Sequence, residues 1–311
     1  MRPLYIILAI AVISSSCCGS KSNIDNAGKM NTDPLDQSEL PRSTDSNTWD
    51  EQIEQLDEDD EMVISAYSEL QMNTDVIERT GENQELQELE ATIPNSSESF
   101  DHSAWNVLLQ KYVDSEGHVN YRGFKNNRSG LNEYISSLGE NMPNDSWSKN
   151  DKLAYWINAY NALTVDLIVR NYPLKSIKDI NNPWDQRLWQ LGSKWYNLDE
   201  IEHQILRKMN EPRIHFGIVC ASFSCPKLLN EAFIASRLEE QLTRATREFL
   251  ADSKRNNISA NEVKLSKIFQ WFSKDFKQNG TLIDFLNRYS EITIAPNAKK
   301  RFKDYNWDLN E

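Results

Sequence analysis

Cys220 and Cys225 lie in one short stretch, Arg213-Ile-His-Phe-Gly-Ile-Val-Cys-Ala-Ser-Phe-Ser-Cys-Pro226, with His215 at its upstream end. Thiol and imidazole side chains serve as nucleophiles, metal ligands and redox partners, so the chemistry of this chain is expected here. Three readings stand open. A disulfide can form in an oxidising compartment, because four intervening residues let the sulfurs meet. A thiolate nucleophile can arise if His203 or His215 takes its proton and loop amides supply an oxyanion hole. A metal site would use both cysteines with one or both histidines, although Cys-x4-Cys is an unusual spacing for structural zinc.

Other polar residues extend the candidate set. Glu202-His203 offers an imidazole with a neighbouring carboxylate to orient it and raise its basicity. Asn158 and Asn161 stand three apart in an apolar run and so share one helix face. They either hold loop backbone in register or line a pocket and donate to a developing oxyanion. As a regular strand, 214–220 would point His215 and Cys220 to opposite faces, leaving His203 as the partner of Cys220. No histidine follows Cys220 in the chain, so a dyad runs His before Cys, the reverse of papain-like enzymes. His102 and His118 read as bystanders.

The elements that must position these groups are mostly helical. Trp105, Leu108, Leu109 and Tyr112 mark an amphipathic helix over 101–113, and 128–138 reads as a second. Ser148 with Asp151 caps a long helix over 152–172. Its apolar residues, Leu153, Trp156, Ile157, Tyr160, Leu163, Leu167 and Ile168, fall on several sides, which makes it central and buried. Trp189 to Tyr196 reads as a hairpin turning at Gly192-Ser193. Asn197 and Glu200 box a helix over 198–209, and Ser236 with Glu239 open another to Leu250. Beyond these come a strand at 263–265, short helices at 267–274, 281–289 and 297–302, and a docked tail carrying Tyr305 and Trp307. The fold class is α+β: a predominantly helical single domain with a small antiparallel sheet.

Charge separates the chain into two parts. The net charge is −13, but residues 1–100 carry 21 acidic and 5 basic residues against 26 and 29 in 101–311. The acidity belongs to residues 18–98, which are poor in aromatics and read as a disordered, extended tether. Eight of the nine tryptophans fall in the globular part, 99–311. With Lys299-Lys300-Arg301 the only basic cluster, no nucleic-acid partner is expected. Arg2 and the apolar run Leu4 to Ile13, too short for a membrane span, read as a secretory signal. Small residues before Cys17 resemble a lipoprotein signal, 1–17, with Cys17 acylated. Ser14 stands where that signal usually has Leu, and the alternative is ordinary cleavage near Ser16 or Gly19.

Taken together, several segments over about 100–310 resemble one family, the domain of unknown function 547 of bacterial exported proteins and some plant proteins. They are Trp105…Tyr112-Val-Asp…Gly117-His-Val-Asn-Tyr121, Lys152-Leu-Ala-Tyr-Trp-Ile-Asn-Ala-Tyr-Asn-Ala162, Ile201-Glu-His-Gln-Ile-Leu-Arg207, the block Arg213 to Pro226, and Tyr305-Asn-Trp-Asp-Leu-Asn310. Asn306 stands where an Asp is expected. The resemblance implies a domain identity without an activity, and its recurrent polar positions fall on Asn158, Asn161, Glu202, His203, His215, Cys220 and Cys225. The expectation is a lipid-anchored protein of the bacterial cell envelope, at the outer membrane, held to the membrane by its N-terminal lipid. It needs no cofactor, and its domain binds or scaffolds an envelope peptide or protein. The alternative is a thiol-dependent hydrolase or acyltransferase on envelope peptide or amide bonds, with Cys220 as nucleophile, His203 as base, Glu202 as its orienter and Asn158 or Asn161 as oxyanion donor.

Overall fold

The computed structural model describes residues 99–311; the signal, Cys17 and the tether over 18–98 lie outside the described residues. At the centre stands a helix whose start is written in its sequence. Ser148 Oγ accepts the Asp151 N–H at 3.1 Å, and the helix runs Lys149–Asn171 with every residue from Leu153 to Val169 buried. A surface helix buries one stripe; this one is surrounded.

Among the described residues three helices precede it, α1 (Ser103–Tyr112), α2 (Tyr121–Asn126) and α3 (Arg128–Glu140), so the central helix is α4 here. The antiparallel hairpin β1 (Trp189–Leu191) and β2 (Lys194–Tyr196) turns at Gly192, whose φ of 59° suits a residue without Cβ. Asn197 caps the next segment by accepting the Glu200 N–H at 2.8 Å. That segment is wound as a π-helix, Glu200–Leu206, and continues as a 3₁₀ turn, Arg207–Met209. The expected box is not completed, because the Glu200 carboxylate pairs with Arg187 and Lys194.

The segment carrying His215 corrects the strand expectation. Ile214–Gly217 is one helical turn, α5, closed by Ile218 N–H donating to the Ile214 carbonyl at 2.9 Å. A short continuous apolar run suits a buried turn as well as a buried strand. This turn lies at a seam: Ile214, Ile218 and Val219 pack into the core around α4, while Phe216 packs into a second, phenylalanine-rich core.

The second core is enclosed by α6 (Leu238–Ala251), β3 (Asn257–Ile258), β4 (Glu262–Leu265), α7 (Ile268–Trp271), α8 (Ser273–Phe276), α9 (Leu282–Tyr289) and β5 (Lys299–Phe302). Glu239, expected to box α6 with Ser236, instead binds Arg213. The helix expected at 297–302 is β5. It pairs parallel to β4, while β3 pairs antiparallel, so this sheet is mixed. Lys299, Lys300 and Arg301 keep its outer edge charged. The fold class is α+β as expected, with one antiparallel and one mixed sheet among the described residues. The tail docks as expected: Asp308 bridges Ser176 and Leu309 bridges Ser222. The Asn310 carbonyl receives the Val119 N–H at 2.8 Å.

Candidate functional site

Both asparagines of α4 are engaged by main chain. Asn158 Nδ2 donates to the Phe233 carbonyl at 2.7 Å, and the Phe233 N–H donates back to Oδ1 at 3.0 Å. Asn161 Nδ2 donates to the Gly217 carbonyl at 2.9 Å and its Oδ1 accepts the Val219 N–H at 3.0 Å. Each amide fixes one loop against the central helix, and Asn161 sets the main chain immediately before Cys220. One N–H of each Nδ2 is thus spent on a main-chain carbonyl, the loop-holding reading of these two residues.

Val219 leads into a loop with one backbone outlier, Ala221 at φ 57°. L-residues with a Cβ rarely adopt this region. The residues that follow it are held in place. The Phe223 N–H donates to the Asp308 carbonyl at 2.6 Å and the Ser224 N–H to the Asn306 carbonyl at 3.1 Å. Arg255 donates to the Cys225 carbonyl at 2.7 Å and the Phe223 carbonyl at 2.6 Å. The sulfurs of Cys220 and Cys225 lie within disulfide distance across this loop, with Cα atoms 6.2 Å apart. Of the three open readings, the disulfide is the one that requires this separation. Cys225 is buried and Cys220 half-buried. Cys220 Sγ also lies 3.2 Å from both Ser222 Oγ and the Tyr305 hydroxyl. Burial pushes the Tyr305 hydroxyl well above the usual phenol range, so it remains a proton donor.

The remaining polar residues form a row behind this loop. Tyr160 of α4 donates to Glu202 Oε2 at 3.0 Å. Glu202 Oε1 lies 4.0 Å from His215 Nδ1, and His215 Nε2 lies 2.8 Å from Asp275 Oδ2. Asp275 receives two hydrogen bonds from Arg207, at 2.6 and 2.8 Å. Arg207 Nη1 lies 2.8 Å from His203 Nδ1, and His203 Nε2 lies 3.5 Å from Asp199. His215 is stacked on Phe272 with ring centroids 3.9 Å apart.

Elementary donor logic assigns roles along the row. Arginine only donates, so His203 Nδ1 accepts and the ring proton sits on Nε2, toward Asp199. The lone pair that a base would use is therefore occupied by the guanidinium. Glu202, expected to orient His203, instead accepts from Tyr160 and faces His215. Burial would raise the Asp275 carboxyl, but hydrogen bonds from His215 and Arg207 outweigh it and hold the carboxyl well below the usual range. Asp275 is thus a fixed anion between two donors.

Sequence reasoning missed Asp275, Arg207, Tyr160 and Tyr305. Asp275 carried a signal: it is the one acid in the aromatic run Ile268-Phe-Gln-Trp-Phe-Ser-Lys-Asp-Phe276, where a carboxylate needs a partner. Asp166 was missed as well. It is fully buried in α4 and accepts from Trp189 Nε1 at 2.7 Å and Arg170 Nε at 2.6 Å.

Residues 144–250 match the model of a family described as "Protein of unknown function, DUF547". The DUF547 match holds Asn158, Asn161, Glu202, His203, His215, Cys220 and Cys225, together with α4, the hairpin, the π-helix, α5 and the disulfide loop. Asp275 and Tyr305, which complete the row and the sulfur cradle, lie beyond it. No curated protein and no solved structure matches the chain.

Proposed function

We propose that this is a lipid-anchored cell-envelope protein whose DUF547-containing domain binds a peptide or protein ligand and does not act as a thiol hydrolase. The observation that carries the reading is the disulfide-distance pairing of Cys220 with Cys225, since bonded sulfurs leave no thiolate to attack a carbonyl. Three further features support it: Asn158 and Asn161 are committed to main chain, His203 to Arg207, and His215 to Asp275.

A ligand face is available beside the loop. Trp271, Tyr305 and Trp307 are half-buried and in mutual contact, with centroids 4.6–5.8 Å apart. Lys178 Nζ sits 4.3 Å from the Trp307 ring. Partly exposed aromatics are among the residues enriched at protein interfaces. The signal before Cys17 and the acidic segment after it support an anchor and a spacer that hold the domain off a lipid surface.

Site-directed photocrosslinking in intact cells tests the binding reading. A photoreactive residue at Trp307 is expected to give discrete adducts with an envelope peptide or protein, while one at exposed Glu133 gives none. Equal crosslinking at both sites, or none at Trp307, contradicts it.

A further inference from the structure

The disulfide has an asymmetry that a purely structural bridge does not require. One sulfur belongs to the half-buried Cys220, the other to the buried Cys225. Each has its own hydrogen-bond donors. The Cys220 N–H points at Cys225 Sγ from 2.8 Å. The Tyr305 hydroxyl lies 3.2 Å from Cys220 Sγ, and the Ser222 hydroxyl, also 3.2 Å from the sulfur, donates to the Tyr305 oxygen at 3.1 Å and leaves the Tyr305 proton to the sulfur. Such donors favour the anionic form of a sulfur. The loop, moreover, has supports other than the sulfur bond. Arg255 holds two of its carbonyls, and the tail pairs with Phe223 and Ser224 on the other side. Asn306 adds an N–H to Ser224 Oγ at 2.9 Å.

We infer that Cys220–Cys225 is a thiol–disulfide exchange site, with Cys220 as the sulfur that external thiols attack and Cys225 as the leaving and resolving sulfur. An external thiolate forms a bond to Cys220 Sγ as the Cys220–Cys225 bond breaks. The electron pair leaves on Cys225 Sγ, beside the Cys220 N–H. A second external thiolate then attacks the external sulfur of the mixed disulfide and releases Cys220 as a thiolate between Ser222 and Tyr305. Two external thiols are oxidised to one disulfide, the protein bond is reduced, and the two thiol protons pass to the two cysteines. The reverse sequence reduces an external disulfide to two thiols and re-forms the protein bond. The chemistry is that of a thiolate, borne either by a small molecule or by a cysteine of another protein. This goes beyond the binding reading and does not depend on it.

The test uses the full chain purified in detergent. It is treated under native conditions with graded dithiothreitol, quenched with iodoacetamide and digested. Both cysteines fall in one tryptic peptide, residues 214–227. Expected is reduction with an unchanged circular dichroism spectrum, and alkylation of Cys220 roughly tenfold faster than of Cys225, because access governs the rate. Cys225→Ser, treated with glutathione disulfide, is expected to carry a single adduct within peptide 214–227, at Cys220. If that variant does not fold, the order of alkylation in the unsubstituted chain decides alone. Reduced glutathione and a reduced unfolded protein, offered separately as reductants, distinguish the two thiolate sources. A bond that opens only in denaturant, or sulfurs alkylated at equal rates, overturns the inference.

Discussion

Asn158 exchanges two hydrogen bonds with the main chain of one residue, Phe233, donating at 2.7 Å and accepting at 3.0 Å. The side-chain amide does here what a neighbouring strand would do. Asn158→Leu leaves a buried N–H and a buried carbonyl unpaired, which is expected to cost about 2–5 kcal/mol. Urea denaturation of the full chain measures it. A variant that unfolds at the unchanged midpoint would return Asn158 to the list of pocket residues.

Asp275 makes stability depend on acid. Its folded carboxyl titrates below its unfolded value of about 3.9, so the unfolded chain takes up the proton first as the pH falls. The contribution is whole at neutral pH and is lost on acidification from about pH 4 downward toward the folded value. Asp275→Asn is expected to unfold more easily at neutral pH, by about 1–3 kcal/mol through the weakened Arg207 and His215 contacts. Its stability should then fall less steeply than that of the unsubstituted chain below about pH 4. Urea midpoints across this range check both, and parallel acid profiles would contradict the assignment.

Asp166 and its arginines should differ sharply in weight. The carboxylate is fully buried, while Arg128 lies 3.6 Å from it with its side chain 40% exposed. Asp166→Ala orphans the buried Trp189 N–H and is expected to cost about 2–4 kcal/mol. Arg128→Ala should cost under about 1 kcal/mol, as partly exposed pairs do. Thermal or urea unfolding of both variants tests the ranking.

Cys17→Ala should release the protein from membranes if acylation of that residue is the anchor. Fractionation with alkaline carbonate wash reads it directly. Equal membrane retention of the variant would mean that something other than a lipid on Cys17 holds the chain there.

Much of the fold was legible because its signals are local. The Ser148 cap, the many-sided apolar pattern of α4 and the Gly192 turn each follow from residues within a few positions of one another. The misreadings concern segments where two periods fit equally well or where a distant partner decides. A buried apolar stretch such as 214–220 satisfies a helical turn as readily as a strand. Lys299 to Phe302 pairs with β4 because residues far back in the chain present an open edge. The site residues in the DUF547 match were legible as polar groups in apolar surroundings, but their partners were not. Asn161 reaches across to Gly217, His215 to Asp275 and Cys220 to Tyr305, and no spacing rule in a single sequence reports such contacts.

The central claim is that Cys220 and Cys225 are bonded to each other in the native protein, and the redox state of peptide 214–227 tests it most directly. The protein is taken from the envelope, exposed to iodoacetamide without reductant, and digested. The account predicts an unalkylated peptide lighter by two hydrogens than its dithiol form, which becomes doubly alkylated only after reduction. Rapid alkylation of Cys220 in the untreated protein would contradict it and restore the thiol nucleophile.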